Sequence, residues 1–244
     1  MTIRFAFRLV RVLLHLVQGL LTCALVFPWA KAERRNTLVR RWSRQLLAMC
    51  GVRVQELAGV APLSHALIVA NHVSWLDIFV INSLHPSRFV AKVEIREWPV
   101  VGWLVAMAGT VFIARGNRRD LRHIFQGLVD NLKTGERVAF FPEGTTAQQG
   151  TVLPFHANLF EAAIDARIDV QPYALRYVDR HGAFHPAVDY VGETNFVQSM
   201  LAILRSQGVR AQLVCLEPIP AAGAHRRELA VAAHDAIAAA LKAS

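Results

Sequence analysis

The stretch ALIVANHVSWLD, residues 66–77, decides how the chain is read. Ala66 to Ala70 is a short apolar run of the length of a buried strand. It ends in polar groups that such a strand has no use for: Asn71, His72 and Asp77. A rigid strand that delivers a histidine and a carboxylate to a loop is one way to build a reactive site. A spacing of five does not place His72 and Asp77 on one face of a continuous helix. They meet if His72 stays in the loop and Asp77 enters the first turn of a helix beginning near Ser74. Two compatible roles follow for Asp77. Ser74-x-x-Asp77 has the form of a capping box, and a carboxylate beside a neutral histidine makes a base suited to a hydroxyl. Ser74 is a third option as a nucleophile, but no Gly-x-Ser-x-Gly elbow surrounds it.

From Val52 onward, short apolar runs alternate with helical patterns. The spacing predicts strands over 52–57, 65–70, 88–92, 110–114, 137–141, 169–177 and 211–216. It predicts helices over 74–84, 99–108, 119–133, 157–166, 194–206 and 224–242. This alternation specifies an α/β fold with a mostly parallel central sheet flanked by helices. Residues 51–244 form that domain, and residues 1–50 form an N-terminal helical membrane arm. The arm opens with Arg4, Arg8 and Arg11, then runs apolar from Val12 to Trp29. That run is about as long as a span, which needs roughly 20 residues. His15 and Gln18 interrupt it, and positive charge lies on both sides, so orientation is not fixed by charge. An in-plane or re-entrant helix fits better than a span. Residues 33–50 read as a basic amphipathic helix, with Leu38, Trp42, Leu46 and Leu47 on one face. Such a helix lies either on a membrane surface or on the domain. All five tryptophans fall in the first 103 residues, which points the same half towards a bilayer interface.

Composition narrows the partners. The chain of 244 residues is 54% hydrophobic and 18% charged, with a net charge of +9. A basic chain suits nucleic acid or an anionic membrane surface. No RNP-type aromatic run or zinc-finger spacing supports nucleic acid. Cys23, Cys50 and Cys215 are far apart and show no metal-ligand spacing, so they read as reduced thiols and no metal is expected.

Two further blocks carry polar chemistry. Gly109-Thr-Val-Phe-Ile-Ala-Arg115 is a strand ending in an arginine suited to phosphate. Phe141-Pro-Glu-Gly-Thr145 is a strand running into a turn whose amides could receive an anion. Each block alone has a bland alternative, a solvated arginine or an ordinary turn. In this order the three blocks resemble the glycerolipid acyltransferases, the lysophosphatidate acyltransferases among them. The match is to Asn-His-x-Ser-x-x-Asp, Gly-x-x-Phe-Ile-x-Arg and Phe-Pro-Glu-Gly-Thr. Ala91-Lys92-Val93-Glu94 and Val170-Gln171-Pro172 resemble intervening and following segments.

The resemblance implies His72 and Asp77 as the catalytic pair. It implies Arg115, Glu143, Gly144 and Thr145, with Asn71 and Lys92, as substrate-binding residues. It also implies transfer of a fatty acyl group from acyl-CoA or acyl-carrier protein to the sn-2 hydroxyl of a lysolipid, with no cofactor. The setting implied is the cytoplasmic face of the cell (inner) membrane, with membrane lipids as partners. Thr146 and Ala147 stand where the family often has Arg-Ser, and His156 stands where a lysine is common. Both departures remove phosphate contacts and leave lyso-ornithine lipid open as an acceptor. A non-catalytic lipid-binding protein and a serine hydrolase acting through Ser74 remain as readings of other classes.

Overall fold

The computed structural model describes residues 3–97, 101–113 and 118–243, with the backbone alone for Lys92, Val101 and residues 118–124. Helix α1 (Ile3–Leu25) and helix α2 (Ala32–Met49) form a hairpin around a short turn containing Pro28. Strands follow at β1 (Val52–Glu56), β2 (Leu67–Ala70), β3 (Arg88–Lys92), β4 (Val111–Ile113), β5 (Val138–Phe140), β6 (Val170–Val178) and β7 (Val209–Cys215). The helices between and after them are α3 (Asp77–Leu84), α4 (Val101–Met107), α5 (Arg118–Lys133), α6 (Glu161–Ala166), α7 (Phe196–Arg205) and α8 (Arg226–Lys242). The strands form one seven-stranded sheet in the order β1-β7-β6-β2-β5-β3-β4. Among the described residues β6 and β7 pair antiparallel and every other neighbouring pair is parallel.

Why β2 is apolar throughout follows from its central place, since a strand buried on both faces needs no polar side. Successive side chains point to opposite faces. Ile68 and Ala70 join a core with Ala139, Tyr173, Leu175 and Tyr177 under α2, α3 and α7. Leu67 and Val69 join a second core with Val138, Phe140 and Val170 under α5, α6 and α8. The register pairs Ala70 with Tyr173 and Leu67 with Val138. So β2 and β5 end at the same level while β6 runs on to Val178, and the loops leaving β2 and β5 lie beside the last residues of β6. Carboxyl edges of parallel sheets are where α/β folds place their sites.

The helical hairpin is built into the domain from α2 onward. Leu46, Leu47 and Cys50 are buried in the same core as the sheet, and Arg44 Nε donates to the Ser83 carbonyl at the end of α3. The residue-50 boundary expected from the sequence therefore falls inside one continuous core. Helix α1 is three-sided. Phe5, Val12, His15, Gly19 and Cys23 are buried against the protein. Ile3, Phe7, Val10, Leu14, Val17, Leu21 and Leu25 recur every three or four residues as an exposed apolar stripe. Arg4, Arg11 and Gln18 form an exposed polar edge beside it. By length and composition α1 could cross a membrane.

The helix expected over 74–84 starts at Asp77, because residues 74–76 make a turn with Asp77 N–H donating to the Ser74 carbonyl at 3.0 Å. The helix expected over 157–166 divides into a 3-10 turn and α6.

Candidate active site

The site is assembled where β2 and β5 end, beside the last residues of β6. Asn71, the first residue beyond β2, is buried, and its side chain extends the β2–β6 ladder. Its Nδ2 donates to the Leu175 carbonyl and its Oδ1 accepts from Leu175 N–H, both at 2.8 Å. This bidentate bond fixes where the chain leaves the sheet and turns His72 towards α3.

His72 and Asp77 meet as expected. His72 Nδ1 and Asp77 Oδ2 lie 2.7 Å apart. The same oxygen accepts backbone N–H from Val73 at 2.7 Å and from Ser74 at 2.9 Å. Tyr177, reaching from β6, donates its hydroxyl to Asp77 Oδ1 at 2.6 Å. Asp77 is fully buried and has four donors. An acceptor-only carboxylate makes Nδ1 the protonated nitrogen of a neutral His72 ring. Among the described residues Nε2 has no hydrogen-bond partner, and 18% of the His72 side chain is exposed. The ring also stacks on Phe141, centroids 3.9 Å apart and planes within 6°. Its lone pair is thus held in one direction by a bond on one edge and a ring on one face.

The capping-box spacing is realised in part, Asp77 Oδ2 accepting from Ser74 N–H at 2.9 Å while Ser74 Oγ accepts from Leu76 N–H and not from Asp77 N–H. The cap residue of α3 is Leu76, with no side-chain cap, and Asp77 binds backward to the amides of the loop that carries His72. Ser74 is fully buried, and its Oγ accepts from Leu76 N–H at 3.4 Å. A buried hydroxyl in that place has no approach for an ester, which removes the serine-hydrolase reading.

Glu143 departs from the expected substrate contact. It is 4% exposed. Its Oε1 accepts from His72 N–H at 2.7 Å and its Oε2 from Leu153 N–H at 2.8 Å. Both oxygens face the protein, so Glu143 braces the backbone at His72. Burial pushes its carboxyl above the usual range, opposed by those two amide bonds and by His72. Asn71, also expected at the substrate, is likewise occupied with its backbone partner. Gly144 takes the left-handed conformation at φ 70°, which glycine adopts without strain. A side chain there would meet the His156 ring at 3.3 Å. Thr145 is exposed beyond it, and the Thr146 hydroxyl donates to the Tyr190 carbonyl. Lys92 ends β3, paired in register with Ile113 at the end of β4. Arg115 lies outside the described residues. The fold therefore brings together His72, Asp77, Asn71, Glu143 and Gly144, and among the described residues the His72 side chain keeps one ring nitrogen, Nε2, without a hydrogen-bond partner while the side-chain oxygens of Asp77, Asn71 and Glu143 are engaged.

Three contributors were missed by sequence reasoning. Tyr177 completes Asp77, and Phe141 sets the plane of His72. Gln149 accepts from Tyr177 N–H at 2.8 Å and so holds β6 beyond the end of β2. The period of two along β6 puts Tyr173, Leu175 and Tyr177 on one face. Only the register shows that Tyr177 lies past the end of β2 and can reach Asp77.

An α/β sheet with a buried aspartate and a partly exposed histidine paired at its carboxyl edge has the layout of an enzyme site. Residues 51–176 match the acyltransferase family profile. A lyso-ornithine lipid O-acyltransferase of Pseudomonas aeruginosa is 39% identical over 207 residues, covering 85% of this chain and 79% of that protein. A 1-acyl-sn-glycerol-3-phosphate acyltransferase of Neisseria meningitidis is 40% identical over 188 residues, covering 75% and 73%. The crystal structure of the 1-acyl-sn-glycerophosphate acyltransferase of Thermotoga maritima superimposes with a TM-score of 0.66, over 97% of both chains at 19% identity. The chain belongs to the acyltransferase family.

Proposed function

We propose that this enzyme moves a fatty acyl group from an acyl thioester to the sn-2 hydroxyl of lysophosphatidic acid, giving phosphatidic acid. The observation that carries the reading is the His72–Asp77 pair at 2.7 Å with an unengaged Nε2. Nε2 takes the hydroxyl proton as the oxygen attacks the thioester carbonyl. The tetrahedral intermediate collapses with loss of the thiolate, which receives the proton back from the imidazolium. Asp77 holds the tautomer and stabilises the imidazolium, and general-base help of this kind contributes about 10²–10⁴ in rate. The proposed chemistry needs no cofactor and no metal. Acyl-CoA or acyl-carrier protein is the donor, an acidic partner for a chain of net charge +9. Gly144, Thr145, Lys92 and Arg115 are the proposed acceptor contacts. The apolar stripe of α1, with exposed Trp29 at its end, sets the enzyme in the leaflet on the cytoplasmic face of the cell membrane.

A second reading, acylation of lyso-ornithine lipid, is supported by His156 lying against the Gly144 turn and by the Thr146 hydroxyl being engaged with Tyr190. Neither residue adds a fixed positive charge for a phosphomonoester. Both readings are tested by one acceptor panel, lysophosphatidate and lyso-ornithine lipid with each donor, using wild type and His72→Ala. Turnover of lysophosphatidate lost in His72→Ala is the expected result. Turnover of lyso-ornithine lipid alone selects the second reading, and a fully active His72→Ala protein rejects the base in both.

A further inference from the structure

We propose that Tyr177 is a positioning residue for acyl transfer, acting on His72 through Asp77. The proposal rests on the reading of His72 as the base. Asp77 divides its acceptors unequally. Oδ2 takes His72 Nδ1 and the amides of Val73 and Ser74, whereas Oδ1 has Tyr177 as its one donor among the described residues. A carboxylate with one oxygen unbound can rotate about its terminal torsion, which is broad. The phenol at 2.6 Å closes that freedom.

The placement of Tyr177 is itself over-determined. Its backbone N–H donates to Gln149 Oε1, and the Gln149 Nε2 donates at 3.1 Å to both the His185 carbonyl and Asp189 Oδ1. Tyr177 sits in the register that pairs it with Ala211 of β7, and its side chain is fully buried. The phenol therefore reaches Asp77 from a strand and not from a mobile loop. Burial, and next the Asp77 charge, push its ionisation well above the ordinary range, so it serves as a donor across the working pH.

Two consequences follow for the base. Oriented by Tyr177, the carboxylate keeps Oδ2 aimed at Nδ1. By donating to Oδ1, Tyr177 also withdraws charge from the carboxylate and so weakens its grip on the imidazolium. Loss of the hydroxyl concentrates charge on the carboxylate and tightens its hold on the imidazolium, which is read as a displaced acid limb of the pH profile. A residue that merely filled space would do neither.

The test compares wild type with Tyr177→Phe in mixed micelles, following kcat, both KM values and the pH dependence of kcat/KM. Expected are a fall in kcat of about tenfold, KM values unchanged, and an acid limb moved to higher pH by about half a unit to one unit. Normal kcat with an unmoved profile overturns the proposal, and so does a raised KM with an unmoved profile. If Tyr177→Phe does not fold, site-specific 3-fluorotyrosine at Tyr177 decides. Its more acidic phenol donates more strongly, so the acid limb moves to lower pH, and an unmoved limb overturns the proposal. His72→Ala, measured alongside, separates the two levels. If that protein is active, the reading of the base fails. If it is inactive while Tyr177→Phe behaves as wild type, the role of Tyr177 alone fails.

Discussion

Glu143→Gln separates a brace from a substrate contact. Glu143 gives one oxygen to His72 N–H and the other to Leu153 N–H, at 2.7 and 2.8 Å, in a place that is 4% exposed. Glutamine keeps the shape but has one carbonyl oxygen. One of the two amides loses its acceptor and faces an NH₂ group. A buried donor left unsatisfied costs about 1–3 kcal/mol, against a total of about 5–15 kcal/mol for a folded chain. At this size each kcal/mol lowers the melting temperature by roughly 2–4 °C. The melting temperature of Glu143→Gln is therefore expected to fall by about 2–12 °C. Glu143→Ala strips both amides and is expected to cost about twice as much.

Activity should fall together with stability, because one of the two amides belongs to His72, the proposed base. The backbone of His72 is also tied from its other side, its carbonyl accepting from Ala147 N–H at 2.8 Å. Releasing the N–H side alone tilts the imidazole against Phe141 and moves Nε2. The assay is thermal unfolding by circular dichroism beside steady-state kinetics in mixed micelles. The brace predicts a lower melting temperature and a lower kcat, with the acceptor KM unchanged. An unaltered melting temperature with a raised acceptor KM would refute it and return Glu143 to the substrate.

Two further outcomes are expected. Glutamate at Val10, Leu14 and Val17 together, all on the exposed stripe of α1, should release the protein from vesicles of anionic phospholipid in a flotation assay. Surface changes of this kind cost within about 0.5 kcal/mol each, so an unchanged melting temperature should accompany the release, and continued flotation would contradict the in-plane arm. Burial holds the His85 pKa below its ordinary value, with Glu56 raising it and Arg137 and Arg40 lowering it. The unfolded chain therefore takes up that proton first as pH falls. Stability is intact above the ordinary histidine range and declines as pH drops through and below it. His85→Gln should flatten that slope, as followed by melting temperature from about pH 7.5 to pH 5.

Legibility followed locality. The all-apolar β2 and the His72–Asp77 spacing could be read because each depends on neighbours in sequence. The α2 stripe containing Leu46 and Leu47 was equally plain, yet its partner was open between bilayer and sheet. Leu46 and Leu47 now belong to the core of the sheet. What could not be read were side chains whose partners are distant backbone. Asn71 binds Leu175 and Glu143 binds His72, and nothing in a polar residue after a strand says whether it faces inward or towards substrate. Glu56, His85 and Cys215 make the same point. Their ligand-type atoms lie within 4.8 Å of one another, at the ends of β1, α3 and β7, with no spacing in sequence that announces it.

The interruptions in the apolar arm take on a different meaning in this frame. His15 broke the pattern of a span, but it is buried and faces α2. His15 Nε2 donates to the Trp42 carbonyl at 3.0 Å, and Trp42 Nε1 donates to the His15 carbonyl at 3.1 Å. The two rings stack at 4.7 Å. Gly19 lies one turn further on, where any side chain would strike the Trp42 ring at 2.7 Å. At the other end of α1, Arg8 donates to the carbonyls of Leu204 and Ser206, and the Arg205 guanidinium lies 4.9 Å from the Phe5 ring centroid. Helix α7, held in this way, gives Ser199 Oγ as acceptor to Trp75 Nε1 at 3.1 Å. Trp75 lies in the loop between His72 and Asp77. A set of contacts thus runs from the inner side of α1 through α7 to the loop that carries His72. An enzyme of a lipid-acylating family gains from such a connection, because misplacement by about 1 Å can cost about a hundredfold in rate. His15, which weakens α1 as a span, is thus one of the residues that fix the buried face of α1 against the domain.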